Sequence, residues 1–200
     1  VTWRRKTNGN PAAMTNLTNS DPIWAYADAK KQAFAELADR VWATPELCYG
    51  EYRSVAEHTR MLHEQGFRVT ENLAGLPTAV MGEAGDGGPV IAILGEFDAL
   101  PGLSQEAGIA EPRPLPGNGN GHGCGHNLLG SAALLAATAL KDWLAATGRK
   151  GRVRYYGCPA EEGGAAKSFM VRAGAFDDVD AAITWHPDTF TRVWEPLSLA

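Results

Sequence analysis

Two hundred residues with 44% apolar, 20% charged and 8% aromatic content describe a globular chain, too apolar to be disordered and too evenly charged for a membrane protein. With Arg4, Arg5 and Lys6 set aside, 15 basic residues face 23 acidic ones from residue 7 onward, so a nucleic-acid surface is not expected. The longest nearly apolar run, Leu128 to Leu140, is broken by Gly130 and Ser131 and falls short of the roughly 18 residues of a membrane span, so no membrane partner is expected either.

The length favours one domain with room for part of a second. Residues 1–20 are rich in Thr, Asn and Ser without periodicity and read as a disordered leader; the basic tripeptide is followed by TNGNPAAMTNLTNSDP, which lacks the apolar stretch of a secretion signal. A cytoplasmic chain is the expectation. Cys48, Cys124 and Cys158 are odd in number and widely spaced, which argues against a disulfide framework and a zinc ribbon.

Asp21 as amino-terminal cap, Pro22 at the first helical position, and apolar residues from Ile23 to Val41 near a 3.6 period predict a first helix ending before Pro45. A second amphipathic run, Glu51 to Gln65, carries Val55, Thr59 and Leu62 on one face and stops at Gly66. Phe67 to Glu71 and Thr78 to Gly82 are short candidate strands, and the apolar run from Pro89 to Gly95 reads as a strand buried on both faces. The Gly/Pro-rich stretch from Leu100 to Gly125 is too long for an ordinary connection and is expected to line a site. Then follow an alanine-rich helix over Leu128 to Ala146, a strand over Arg152 to Cys158, a helix over Ala165 to Ala173 and a buried strand over Ala181 to Trp185. Alternation of this kind predicts an α/β layered sandwich with a mixed, largely parallel sheet flanked by helices.

Three segments put metal-ligating or proton-transfer groups directly after a predicted strand: GEFDALPG with Glu96 and Asp98, GCPAEEGG with Glu161 and Glu162, and TWHP with His186. Ligands bind at the carboxyl ends of strands in open α/β sheets. A fourth segment, GNGHGCGHNLLG, opens a helix with His122, Cys124 and His126 separated by glycines. Side chains two apart on extended backbone share a side, so Cys124 and His126 can reach one ion, and the helix amino terminus is expected to lower the thiol pKa.

Adjacent Glu161 and Glu162 project in different directions, so one can ligate a cation while the other holds a water. This division suits metal-assisted hydrolysis, in which an ion polarises the carbonyl and a general base accepts a proton and returns it to the leaving amine. An EE pair is usually solvated surface; here Pro159, Gly163 and Gly164 argue for an ordered turn. His186 alone would be an ordinary satisfied histidine. Asp98 can hold a ligating imidazole, although an aspartate after a strand is more often a turn former. His58 and His63 diverge around their helix and read as surface residues, and Cys48 and Cys158 as packing. Dinucleotide, P-loop, zincin and serine-hydrolase signatures do not occur.

The segments GEFDALPGLSQEAG, NGHGCGHNLLG, YGCPAEEGG and KSFMVRAGAFDDVDAAITWHP resemble the M20 metallopeptidase family, most of all its amidohydrolase branch, over about Asp21 to His186. The resemblance implies that Cys124, His126, Glu162 and His186 are metal ligands, that Glu161 is the general base and that Asp98 supports the site. Asn127 stands where much of the branch has an aspartate. One or two divalent ions are implied, zinc or manganese, acting in hydrolysis of a carbon–nitrogen amide bond in an N-acyl amino acid such as p-aminobenzoyl-glutamate, a small-molecule substrate.

Family members continue past the WHP strand into a lid and dimerisation domain and return with a last histidine ligand, whereas this sequence stops at Ala200. By resemblance, residues 21–190 are then the amino-terminal portion of a catalytic domain and 191–200 a truncated connection toward the lid. Hydrolysis by such a chain is expected to be impaired, and full-length relatives are expected to be oligomeric, with a second homologous subunit. Two other readings stay open: a hydrolase with Cys124 as nucleophile and His126 or His122 as base, and a non-catalytic metal-binding or subunit-interaction module.

Overall fold

The computed structural model describes residues 21–189; the expectations for residues 1–20 and 191–200, and for the side chains of Asp21 and Pro22, fall outside them. The elements in chain order are α1 (Asp21–Trp42), α2 (Tyr52–Glu64), β1 (Arg68–Glu71), β2 (Val80–Asp86), β3 (Val90–Glu96), α3 (His126–Thr147), β4 (Gly151–Cys158), a single turn α4 (Glu161–Gly164), α5 (Ala166–Arg172) and β5 (Ala181–Ile183).

The five strands form one sheet in the order β1-β2-β4-β3-β5. The α/β sandwich and mixed sheet are as expected. The pairings divide evenly, however: β1–β2 and β2–β4 are antiparallel, β3–β4 and β3–β5 parallel. Only the half built by helical crossovers, α3 between β3 and β4 and then α4 and α5 between β4 and β5, is of the parallel kind.

Period-two alternation sorts the sheet's side chains into two layers. Val153 and Tyr155 of β4 join Ile93, Val80, Leu37, Val41, Leu62 and Leu134 in a core between the sheet and helices α1, α2 and α3. Tyr156 and Cys158 point the other way, into a smaller core with Ala92 and Met170 that α5 covers. α3 spans 22 residues and is long and apolar enough to cross a membrane, contrary to the reading of its sequence; here it is the core helix, with Leu129, Ala133, Leu134 and Ala137 buried against the sheet and α1. Gly130 is what lets it approach so closely. A Cβ there would stand 2.3 Å from the Glu96 carbonyl oxygen.

Two expectations are corrected. The buried strand expected at Ala181–Trp185 is a three-residue strand whose side chains are exposed, since among the described strands it pairs with β3 alone. His58 is fully buried. The inward face of α2 is Ser54, Val55, His58, Met61 and Leu62, and the His58 Nδ1 sits 2.8 Å from the Tyr155 hydroxyl. His63 is exposed.

Candidate metal centre

Sheet register decides which residues meet. Glu96 pairs with Cys158, the last residues of β3 and β4, and Ile93 pairs with Ile183 of β5. All three strands run parallel, so Asp98, Glu161, Glu162 and His186 leave the sheet at one edge, where ligands gather in α/β folds. α3 begins there too, bringing His126 at its first residue and Cys124 two residues before.

His126 is the centre of the cluster. Its side chain is 1% exposed, Nδ1 lies 2.9 Å from Asp98 Oδ1, and Nε2 lies 3.1 Å from Glu96 Oε2 and 3.9 Å from both Glu161 Oε2 and Glu162 Oε1. None of these carboxylates gives Nε2 a hydrogen bond, and Glu162 Oε1 is likewise buried without one. Cys124 Sγ and His186 Nε2 stand 3.2 Å apart. Two overlapping donor sets result, each with its ligand atoms within 4.8 Å of one another: Cys124, His126 and His186, and Glu96, His126 and Glu161.

A divalent ion fits these residues. Buried polar atoms are normally paired, and here an imidazole nitrogen and a carboxylate oxygen without partners share one small space with a thiol and a second imidazole. The donors mix soft sulfur, nitrogen and hard oxygen, a set that zinc accepts and whose carboxylates also suit manganese.

Electrostatics follow the same geometry. Burial opposes protonation of His126, but the hydrogen bond to Asp98 and the charges of Asp98, Glu96 and Glu162 outweigh it and raise its pKa. Burial likewise works against ionised Asp98, yet its contacts with His126 and the Glu162 N–H hold its carboxyl below the usual range. The expectation of a lowered thiol pKa at Cys124 is overturned. Desolvation, together with Glu162, Glu161 and Glu96 from two other segments, pushes it up to about 12. A bound cation inverts that balance.

Asp98, Cys124, His126, Glu161, Glu162 and His186 therefore lie together, at one edge of the sheet. His122 does not join them: its Nε2 is 3.2 Å from the Val41 carbonyl oxygen, toward α1. Glu96 does join, as a donor: its place at the end of β3 beside Asp98 marks it in the sequence as a metal-ligating or proton-transfer group, but gives it no individual role. Its other oxygen pairs with Lys167 of α5. Cys48 is more than packing, since its thiol lies 3.9 Å from Asp98 Oδ2, and Glu161 and Glu162 form the ordered turn expected of them.

Residues 92–199 match Peptidase family M20/M25/M40. The chain is 51% identical over 173 residues to a subunit of the p-aminobenzoyl-glutamate hydrolase of Escherichia coli (strain K12), an alignment spanning 86% of this chain and 36% of that protein. It is 34% identical over 144 residues to the N-acetyl-L-cysteine deacetylase of Bacillus subtilis (strain 168), across 71% of this chain and 33% of that one. Among solved structures, the Bacillus subtilis YXEP protein, described as a dinuclear metal binding peptidase from the M20 family, superposes with a TM-score of 0.67 at 28% identity, over 82% of this chain and 44% of that one. The chain thus spans about a third of the length of the curated relatives it matches. Fold, motifs and donor cluster agree with these likenesses: the chain belongs to the M20/M25/M40 family of metal-dependent peptidases and amidohydrolases.

Proposed function

We propose that this chain supplies the metal-binding part of an enzyme that hydrolyses the amide bond of an N-acyl amino acid such as p-aminobenzoyl-glutamate. The observation that carries the reading is His126: one nitrogen is held by Asp98 while the other, buried and without a hydrogen bond, faces Cys124, His186 and three carboxylates. In this reading Cys124, His126, Glu162 and His186 hold a divalent ion, zinc or manganese, and a second ion engages the Glu96 side of the cluster. Bound there, the ion supplies Lewis acidity, polarising the scissile carbonyl.

The chain's own groups do the rest. Asp98 accepts the His126 Nδ1 proton and so presents the Nε2 lone pair to the site. Glu161, more open than its neighbour at 44% exposed against 18%, takes a proton from water and returns it to the leaving amine. Glu162 is fixed by its own N–H, which donates to Asp98 Oδ2 at 2.9 Å. A second homologous subunit is in keeping with the Escherichia coli relative, which is one subunit of its hydrolase, and three free cysteines fit a reducing, cytoplasmic setting.

The cysteine-nucleophile reading has less support. A thiol pushed up to about 12 by burial and surrounding carboxylates yields little thiolate unless a cation stands beside it. Metal analysis of the purified protein, with and without Cys124→Ala, and an amide-substrate panel assayed before and after chelation, test the proposal. Zinc is expected to bind more tightly than manganese, and Cys124→Ala is expected to weaken it. Undiminished stoichiometry and affinity in that variant would overturn the ligand set.

A further inference from the structure

Residues 46 to 54, from the loop after α1 into the first turn of α2, contribute none of the groups assigned above, yet they grip the Glu161–Glu162 turn at both ends. Glu51 is fully buried, and its Oε1 accepts the Ala160 N–H at 2.8 Å. The Tyr49 hydroxyl donates to the Gly164 carbonyl oxygen at 2.5 Å. The same segment reaches the Asp98 loop, where the Ala99 N–H donates to the Glu46 carbonyl oxygen at 2.8 Å, and the Glu46 carboxylate accepts the Ser54 N–H and hydroxyl at the start of α2.

The turn needs such support. Ala160 is fully buried and lies beyond the last residue of β4, so its N–H has left the sheet ladder and must find another acceptor. It also sits at φ 53°, with Ala165 at 49° and Tyr49 itself at 60°, a conformation that side chains adopt only when surroundings enforce it. Packing is correspondingly close. A Cβ on Gly164 would stand 2.6 Å from both the Tyr49 ring and the Ala160 Cβ.

We propose that residues 46–54 are a positioning strap for the Glu161–Glu162 turn, with Glu51 and Tyr49 as positioning residues that set where the two carboxylates stand relative to His126. The inference rests on the roles given to those carboxylates under Proposed function. Glu51 acts as a hydrogen-bond acceptor, so a glutamine can replace it: the carbonyl oxygen keeps Ala160, and the amide is turned to the Thr78 hydroxyl, which interacts with the Glu51 carboxylate and can accept from an amide.

The test is amide hydrogen exchange and cobalt(II) binding on the full chain. Glu51→Ala is expected to speed exchange at Ala160 and Glu162 by about tenfold or more while α1 and β3 stay protected, and to weaken cobalt by about tenfold, the scale seen when groups supporting metal ligands are removed. Glu51→Gln is expected to restore both. In a Glu162→Gln background, Glu51→Ala is expected to cost no further cobalt affinity, because it acts through that residue. Unchanged exchange at 160–162, loss of protection spread evenly over the core, or failure of glutamine to rescue would each overturn the strap. If Glu51→Ala does not fold, Tyr49→Phe removes one hydroxyl and must still speed exchange of the turn. Should the unsubstituted chain not bind cobalt, the metal reading fails, and exchange alone decides the strap.

Discussion

Asp98 bridges two of the converging segments: one carboxylate oxygen holds Nδ1 of His126 at 2.9 Å and the other accepts the Glu162 N–H at 2.9 Å. One side chain thus fixes both the ring that presents Nε2 and the backbone of the carboxylate opposite it. Asparagine offers one acceptor where this arrangement uses two, so one contact would become donor against donor. Asp98→Asn is therefore expected to weaken zinc binding by about 10- to 100-fold, measured by competition with a chromophoric chelator. An unaltered affinity would show that the bridge does not position the donors.

The two adjacent glutamates are expected to fail differently. Glu161→Gln should keep the ion and lose turnover in a form of the enzyme that has activity, whereas Glu162→Gln should loosen the ion as well. Equal metal loss in both variants would end the division of roles.

His58 sets a pH dependence of stability away from the metal centre. Burial drives its pKa down to about 3, below the roughly 6.5 of an unfolded histidine. The unfolded chain then binds the extra proton first as pH falls, so the stabilisation is complete above about pH 6.5 and is lost progressively toward pH 3. Urea unfolding in chelator is expected to show a falling midpoint over that window, while the His58 ring, followed by nitrogen NMR, stays neutral in the folded protein. Titration of that ring near pH 6 while folded would contradict the burial described.

Gly130→Ala tests the approach of α3 to the sheet. In an open helix this change stabilises by about 1 kcal/mol. Here the added Cβ meets the Glu96 carbonyl oxygen at 2.3 Å and His58 Cε1 at 2.9 Å, and overpacking of this kind costs about 1–3 kcal/mol. A net loss of stability in urea melts is expected. A gain would mean that α3 can move outward at little cost.

Much of this molecule could be read in its sequence because periodicity and strand-end chemistry are local. α1, α2, β3, α3 and β4 fall within a few residues of where apolar spacing and Gly66 put them. Convergence at one edge followed from strand-end positions alone. His58 was misplaced because spacing tells how far apart two helix residues point, but the sheet decides which of them faces inward. Glu96 was named among the candidate groups but given no individual role for a related reason: only the fold brings its oxygen to His126. The thiol of Cys124 is governed by burial and by Glu162, Glu161 and Glu96, none of them a neighbour in sequence.

The contact between Cys124 and His186 joins residues 62 apart in the chain, and His186 follows a three-residue strand at the sheet's edge. Any ion held by both is also a cross-link. By chain entropy, closing a loop of that length restricts the unfolded ensemble by about 4 kcal/mol, as a disulfide would. An ion so held would fasten the last described strand to the loop that opens α3 by chemistry as well as by packing, and its removal would loosen the sheet's edge.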